Sequence, residues 1–156
     1  MAHTFTVRTG AFDSGTALPD KYTCEGENVS PPFTLDHVPD AAKTLAIIVD
    51  DPDAPRKTFV HWVLFNVPAS ATDLPENLDI EADLPPGDAL EGVNDFGDMG
   101  YGGPCPPPGA DHHYQFRFYA LDTPLDVAQG ATKKQVTQAM DGHVLAEAEV
   151  VGTYRR

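Results

Sequence analysis

The chain has 156 residues, 41% of them hydrophobic, enough for one buried core and no sign of a second. Its 24 acidic residues against 10 Lys and Arg give a formal net charge of -14, a surface that repels nucleic-acid phosphates and anionic lipid alike. No run approaches the roughly 20 apolar residues of a membrane span, and Met1-Ala2-His3-Thr4 lacks the regions of a signal peptide. The expectation is therefore one soluble, cytoplasmic domain over 1–156, with no nucleic-acid partner and no stable membrane association.

In chain order, Thr4 to Thr9 and Phe33 to Asp36 read as short strands. Lys43 to Asp50 (KTLAIIVD) is a nearly continuous apolar run, as expected of a strand buried on both faces. Phe59 to Val67 (FVHWVLFNV) is rich in β-branched and aromatic residues. Between Pro68 and Asp111 periodicity is weak and breakers are frequent, which predicts a long Gly/Pro-rich loop. Its segment Asn94 to Gly109 carries Phe96, Met99 and Tyr101 as apolar anchors, so it reads as a shaped wall and not as disorder. His113 to Leu121 (HYQFRFYAL) reads as a strand. Thr132 and Gln135 form a capping box ahead of the apolar stripe Val136, Ala139, Met140, so a helix is expected near 132–141, ended by Gly142. Alternation over Val144 to Tyr154 predicts a final strand. The class is mainly β, with one or two short helices.

Two further features have no element of their own. Cys24 and Cys105 are too few for a disulfide scaffold and lack zinc-site spacing; the reading favours two reduced thiols over a bond, which would depend on their Cα separation. The acids are dispersed along the chain, which reads as halophilic adaptation of a whole proteome and not as a functional patch.

Strand ends bring chemistry together. Antiparallel pairing of 43–50 with 59–67 puts Asp51 and His61 at one end, and His112 shares parity with Tyr114, Phe116 and Phe118. A carboxylate, two imidazoles and a phenol thus converge at one rim. Each also has a structural reading: Asp51 and Asp53 as turn residues in DPDAP, His61 as a core histidine, Tyr114 as packing, and His112-His113 as exposed or metal-binding, though no third ligand stands at metal-site spacing.

The blocks Tyr22 to Pro32 (YTCEGENVSPP), Asp51 to Pro55 with His61-Trp62, Asn94 to Pro107 (NDFGDMGYGGPCPP) with His112 to Tyr114, and Gly142 to Tyr154 occur in order along nearly the full chain. They resemble the phosphatidylethanolamine-binding protein family, also called the Raf kinase inhibitor protein family, in its short bacterial and archaeal branch. The resemblance implies a β-sandwich of two antiparallel sheets and a small anion pocket taking phosphate, acetate or a phosphorylated head group. Carried over by position, the pocket comprises Asp51, Pro55, His61, Cys105, Pro106, His112 and Tyr114. Two departures stand out. His113 replaces the arginine of the usual His-Arg-Tyr, which by parity affects a salt bridge more than the pocket, and Leu35 stands where a tryptophan is common.

Such a site needs no lysine or arginine, since imidazole, phenol and backbone groups donate hydrogen bonds and a protonated histidine adds charge. Asp51 would repel an anion unless it orients a histidine, raises its basicity or shares a proton with the ligand, so tighter binding below neutral pH is expected. The same groups form a plausible acid–base set. With no Gly-x-Ser-x-Gly nucleophile, Walker loop or metal triad, however, the expectation is a non-enzymatic regulatory or ligand-binding protein without metal or cofactor. The alternatives are inhibition of a protease or kinase and metal-free phosphoester hydrolysis; a homodimer is left open.

Overall fold

The structure is a computed structural model that describes residues 5–84 and 88–156. Thr4, the first residue of the expected N-terminal strand, and the Met1–Thr4 segment read for targeting lie outside the described residues. The described chain forms β1 (Thr6–Arg8), β2 (Thr16–Ala17), β3 (Phe33–Asp36), β4 (Thr44–Asp51), β5 (Phe59–Pro68), β6 (Asp73–Leu74), α1 (Ile80–Asp83), β7 (Leu90–Glu91), β8 (His112–Leu121), α2 (Lys133–Met140) and β9 (Val144–Tyr154). Two sheets result, one ordered β1-β3-β6 and the other β2-β9-β8-β4-β5-β7. The pairings are antiparallel, as expected, except that the two-residue β2 runs parallel to β9.

The apolar run of β4 explains its central place. All eight of its residues are buried, between β8 on one side and β5 on the other. Alternate residues serve two cores. Leu45, Ile47 and Val49 face the smaller sheet with Phe33, Leu35, Trp62, Phe116 and Phe118, where the Phe33 and Phe118 rings meet edge-on at 4.9 Å. Each such buried ring contributes about 2–3 kcal/mol. Ala46 and Ile48 face the other way, against Val63, Phe65, Leu121 and the Val136 and Met140 stripe of α2. Leu35 is part of the intersheet core.

The helix forms for the reasons its sequence suggests. Thr132 Oγ1 accepts from Gln135 N at 3.1 Å, while Gln135 Oε1 accepts from Thr132 N at 2.9 Å. Gly142, at φ +81°, turns the chain into β9. Under α2, the carboxylate of Asp50 is fully buried and accepts from Lys133 Nζ at 2.7 Å; Arg117 stands 3.6 Å away. Among the described residues no helix is long and apolar enough to cross a membrane.

Two sequence expectations need correction. The region 68–111 holds more structure than a loop: β6 and β7 extend opposite sheets, α1 is capped by Asp79, and Val93 bridges Met99. Within it Tyr101 is an anchor, donating to Tyr22 O at 2.7 Å and packing on Trp62, whereas Met99 is 55% exposed and anchors nothing in the core. Cys24 and Cys105 are not reduced thiols but a disulfide with a Cα separation of 5.4 Å. The turn around Asp20–Tyr22 and the proline segment lie side by side, with Cys24 N donating to Pro104 O at 3.0 Å, which brings the two sulfurs within bonding range.

Candidate functional site

The site lies where β4 ends and β5 and β8 begin. Asp51, the last residue of β4, uses both carboxylate oxygens: Oδ1 accepts from Asp53 N at 2.8 Å and Oδ2 from His112 Nδ1 at 2.6 Å. The first contact is the Asx turn that DPDAP suggests. The second fixes an imidazole. His112 opens β8 on the face shared with Tyr114, Phe116 and Phe118, all buried, while the odd residues between them are less so.

His61 arrives by a different route. Simple alternation would put it with Val63 and Phe65 on the helix-covered face. The register between β4 and β5 shifts here, because Val49 pairs with Trp62 but Asp50 with Val60, leaving His61 as the extra residue of a β-bulge. Bulges re-aim side chains, and this one turns the ring toward Tyr114, 5.2 Å away edge-on. His61 Nδ1 lies 2.7 Å from Gly102 O. A carbonyl only accepts, so Nδ1 carries the proton. Gly102 N in turn donates to His61 O at 2.9 Å, and Asp95 Oδ2 accepts from Val60 N, so the glycine-rich segment is laid along β5. Asn94 shapes that segment by accepting from Phe96 N and Asp98 N and donating to Gly100 O.

The same argument applies to His112, whose Nδ1–H donates to a carboxylate. Both rings therefore commit Nδ1 as donor. Among the described residues nothing hydrogen-bonds either Nε2, and the one buried polar side-chain atom without a partner is Asp50 Oδ1, so both Nε2 atoms open onto the cavity their rings line. Burial pushes His61 below the usual histidine range, against the upward pull of Gly102 and the charges of Asp51, Asp50 and Asp95. The neutral ring then shows a lone pair to the cavity. Burial also raises Tyr114, helped by the charges of Asp51 and Asp53 and by a side-chain hydrogen bond to Asp51, so its hydroxyl stays protonated.

The cavity measures about 210 Å³. Asp51, His61, His112 and Tyr114 supply its polar groups, and Pro55, Cys105 and Pro106 stand in its walls, so the structure brings all seven candidate residues to one place. Ala54, Phe59, Phe96 and Pro107 line it too. The sequence reading placed Phe96 in a shaped wall, but it assigned neither Phe96 nor Ala54, Phe59 and Pro107 to the pocket. Phe96 packs edge-on against Phe59 at 4.8 Å and His61 at 5.5 Å.

His113 points outward, where its backbone N and Nδ1 both reach Asp53 Oδ2 at 2.8 Å. The imidazole thus ties the loop to β8. Arg156 lies behind the proline wall, with Nη1 3.4 Å from Pro106 O and Nε 3.7 Å from Glu25. Among the described residues, no three His, Cys, Asp or Glu side chains are grouped so as to hold a metal ion.

Comparison with known proteins adds the following. The family model described as phosphatidylethanolamine-binding protein matches residues 8–155. A UPF0098 protein of Methanothermobacter thermautotrophicus is 53% identical over 150 residues, covering 96% of this chain and 98% of its own. Among solved structures, a putative phosphatidylethanolamine-binding protein homolog from Chlamydia trachomatis superimposes with a TM-score of 0.90 at 39% identity, covering 99% of each chain. YbcL of E. coli, a new member of the mammalian PEBP family by its description, gives 0.90 at 35% identity, again over 99% of each chain.

Proposed function

The chain belongs to the phosphatidylethanolamine-binding protein family, and we propose that its cavity holds a small anion of the phosphate or phosphorylated-head-group type, in a binding or regulatory role without turnover. The observation that carries this reading is the separation of polar and apolar groups in the cavity. Four polar side chains gather together, and the remaining lining is apolar, a form suited to gripping one compact polar head. Tyr114 supplies a hydroxyl, and protonation of either ring would turn its Nε2 into a charge-assisted donor. Asp51 is then the group that orients His112, and its charge is matched when that ring is protonated.

Isothermal titration calorimetry with inorganic phosphate tests the proposal. Saturable one-to-one binding is expected, stronger at about pH 5.5 than at about pH 8.5, and abolished in His112→Ala with the fold intact by circular dichroism. Absence of binding at either pH, or unchanged binding in the variant, would reject it.

A further inference from the structure

We propose that the open edge of β9 at Glu147 and Glu149 is a docking site for an extended segment of a partner protein that carries Lys or Arg at alternate positions. This surface is separate from the anion cavity, and the proposal does not rest on the reading given above for that cavity. It starts from the direction of the backbone. Gly15 N donates to Val151 O and Leu18 N to Thr153 O, so odd-numbered residues of β9 turn their backbone groups away from β8. Alternation carries this to Glu149 and Glu147, which stand opposite Arg117 and Tyr119 of β8 in non-hydrogen-bonded pairs. β2 covers the edge only at Gly152 and Thr153, and Ser14 accepts from Val151 N. Among the described residues, no hydrogen bond is made to the N–H or C=O groups of Glu147 and Glu149. Two donors and two acceptors are thus presented in strand geometry, the form that an added strand bonds to.

The side chains beside that edge choose the partner. A groove of about 550 Å³ lies there, lined by Arg117, Tyr119, Glu147, Ala148 and Glu149. Arg117 is already engaged, donating to Gln115 Oε1 and standing 3.6 Å from the buried Asp50 carboxylate. Glu147 and Glu149 are exposed and, among the described residues, have no ion-pair partner. They project from one face two residues apart, a spacing of about 7 Å along the strand. A strand paired to this edge sets its own alternate side chains at the same spacing, so two cations meet two carboxylates. Val144 and Leu145, 40% and 41% exposed, continue the edge with apolar surface. The same carboxylates turn away a second copy of the chain, because pairing β9 with its two-fold image sets glutamate against glutamate.

Nuclear magnetic resonance with the end-blocked peptide Thr-Val-Lys-Val-Lys-Val-Thr tests the proposal. A contact this short should give a Kd of about 0.1–1 mM, within reach of that method. At saturating peptide, the amides of Glu147 and Glu149 should exchange about fivefold or more slowly, while those of Ala146 and Ala148, already bonded to β8, stay unchanged. Two further peptides keep the charge: one of the same composition with its lysines adjacent, and one N-methylated at both lysines. The first loses the spacing and the second loses the backbone donors, so each should bind about tenfold more weakly.

Glu147→Lys with Glu149→Lys alters exposed side chains only. It should lose the lysine peptide and accept the analogue with Asp in place of Lys. Equal binding of the three lysine peptides would mean charge attraction without strand pairing and would overturn the proposal, as would no binding at all. Sedimentation showing a dimer of the unaltered protein that the double variant disperses would also overturn it, by giving the edge to a second copy. None of these outcomes bears on phosphate binding.

Discussion

Removing the disulfide tests how far the pocket wall depends on a covalent tie. Cys24 and Cys105 are 81 residues apart in sequence. In the chain-entropy account, a loop of this length restricts the unfolded ensemble by about 15 cal/mol/K, or about 4.5 kcal/mol at 25 °C. The folded neighbourhood keeps other ties: Cys24 N donates to Pro104 O, Gly103 N to Asn28 Oδ1 at 2.8 Å, and the Tyr101 hydroxyl to Tyr22 O. The bond's effect should therefore lie mainly in the unfolded state. The double variant Cys24→Ser/Cys105→Ser is expected to retain its near-ultraviolet spectrum and lose about 2–4 kcal/mol in urea unfolding, with a larger m-value because its unfolded chain is more expanded. Wild-type protein treated with a reductant should match it. Because the remaining ties hold the wall that Cys105 lines, affinity for phosphate should change little in the same samples. A stability loss below about 0.5 kcal/mol would refute the reasoning, since removing a native disulfide from a small domain typically costs about 2–5 kcal/mol.

Four further outcomes follow from particular contacts. In Gly103→Ala, the new Cβ would stand 2.4 Å from both Asn28 Oδ1 and Tyr22 O, so one side of the wall must move. A loss of about 1–3 kcal/mol in chemical denaturation and weaker phosphate binding should result. His61 titrates below its unfolded value, so the unfolded state takes up its proton first. Its contribution is complete above about pH 6.5 and is lost as pH falls through the folded pKa. The urea midpoint should then drop between about pH 8 and pH 5.5 by more in the wild type than in His61→Leu, and equal drops would contradict this. Lys133→Met removes the 2.7 Å partner of the buried Asp50, leaving Arg117 at 3.6 Å; unfolding at pH 7 should show a loss of about 3 kcal/mol, and Asp50→Asn added to it should restore part. Incubation with p-nitrophenyl phosphate should release no nitrophenol above the buffer blank; turnover that disappears in His61→Ala would reinstate a hydrolase.

Where the structure was legible in the sequence, the signal was repetition. Strands β4, β5, β8 and β9 run for eight to eleven residues, long enough for apolar runs or alternation to register. Helix α2 carries a capping box and a stripe together. Strands β2, β6 and β7 have two residues each and no period to detect; they exist because a longer neighbour offers its edge. The disulfide was misjudged because its formation depends on a Cα distance set by tertiary packing, and nothing local to either cysteine encodes it. In the site, antiparallel pairing placed Asp51 and His61 at one end and parity grouped His112 with Tyr114, but the His61 ring turns toward them only through a bulge that alternation does not reveal. The walls at Phe59 and Phe96 appear only once Asn94 and Asp95 have laid the glycine-rich segment along β5.

The two aspartate–histidine pairs show why a departure from the family pattern at residue 113 leaves the pocket in place. Asp51–His112 and Asp53–His113 join the same loop to adjacent positions of β8, through the same atom types and at similar distances, 2.6 and 2.8 Å. Pleating separates their fates. The first pair faces inward with side-chain exposures of 4% and 8%, and the second faces solvent at 42% and 55%. Inside, each group must be balanced by its partner, because an unmatched charge there is costly; that requirement fixes the tautomer and hence what the cavity can bind. Outside, water screens the pair and its contribution is no more than about 1 kcal/mol. Histidine at 113 still holds Asp53 below the usual carboxylate range through side-chain and backbone hydrogen bonds. That tie holds only while Asp53 is ionised, so it weakens as pH falls through the lowered value. Exchanging arginine for histidine at this position therefore changes an exposed tether, while chemistry facing the ligand is set one residue away, by His112 and the carboxylate that orients it.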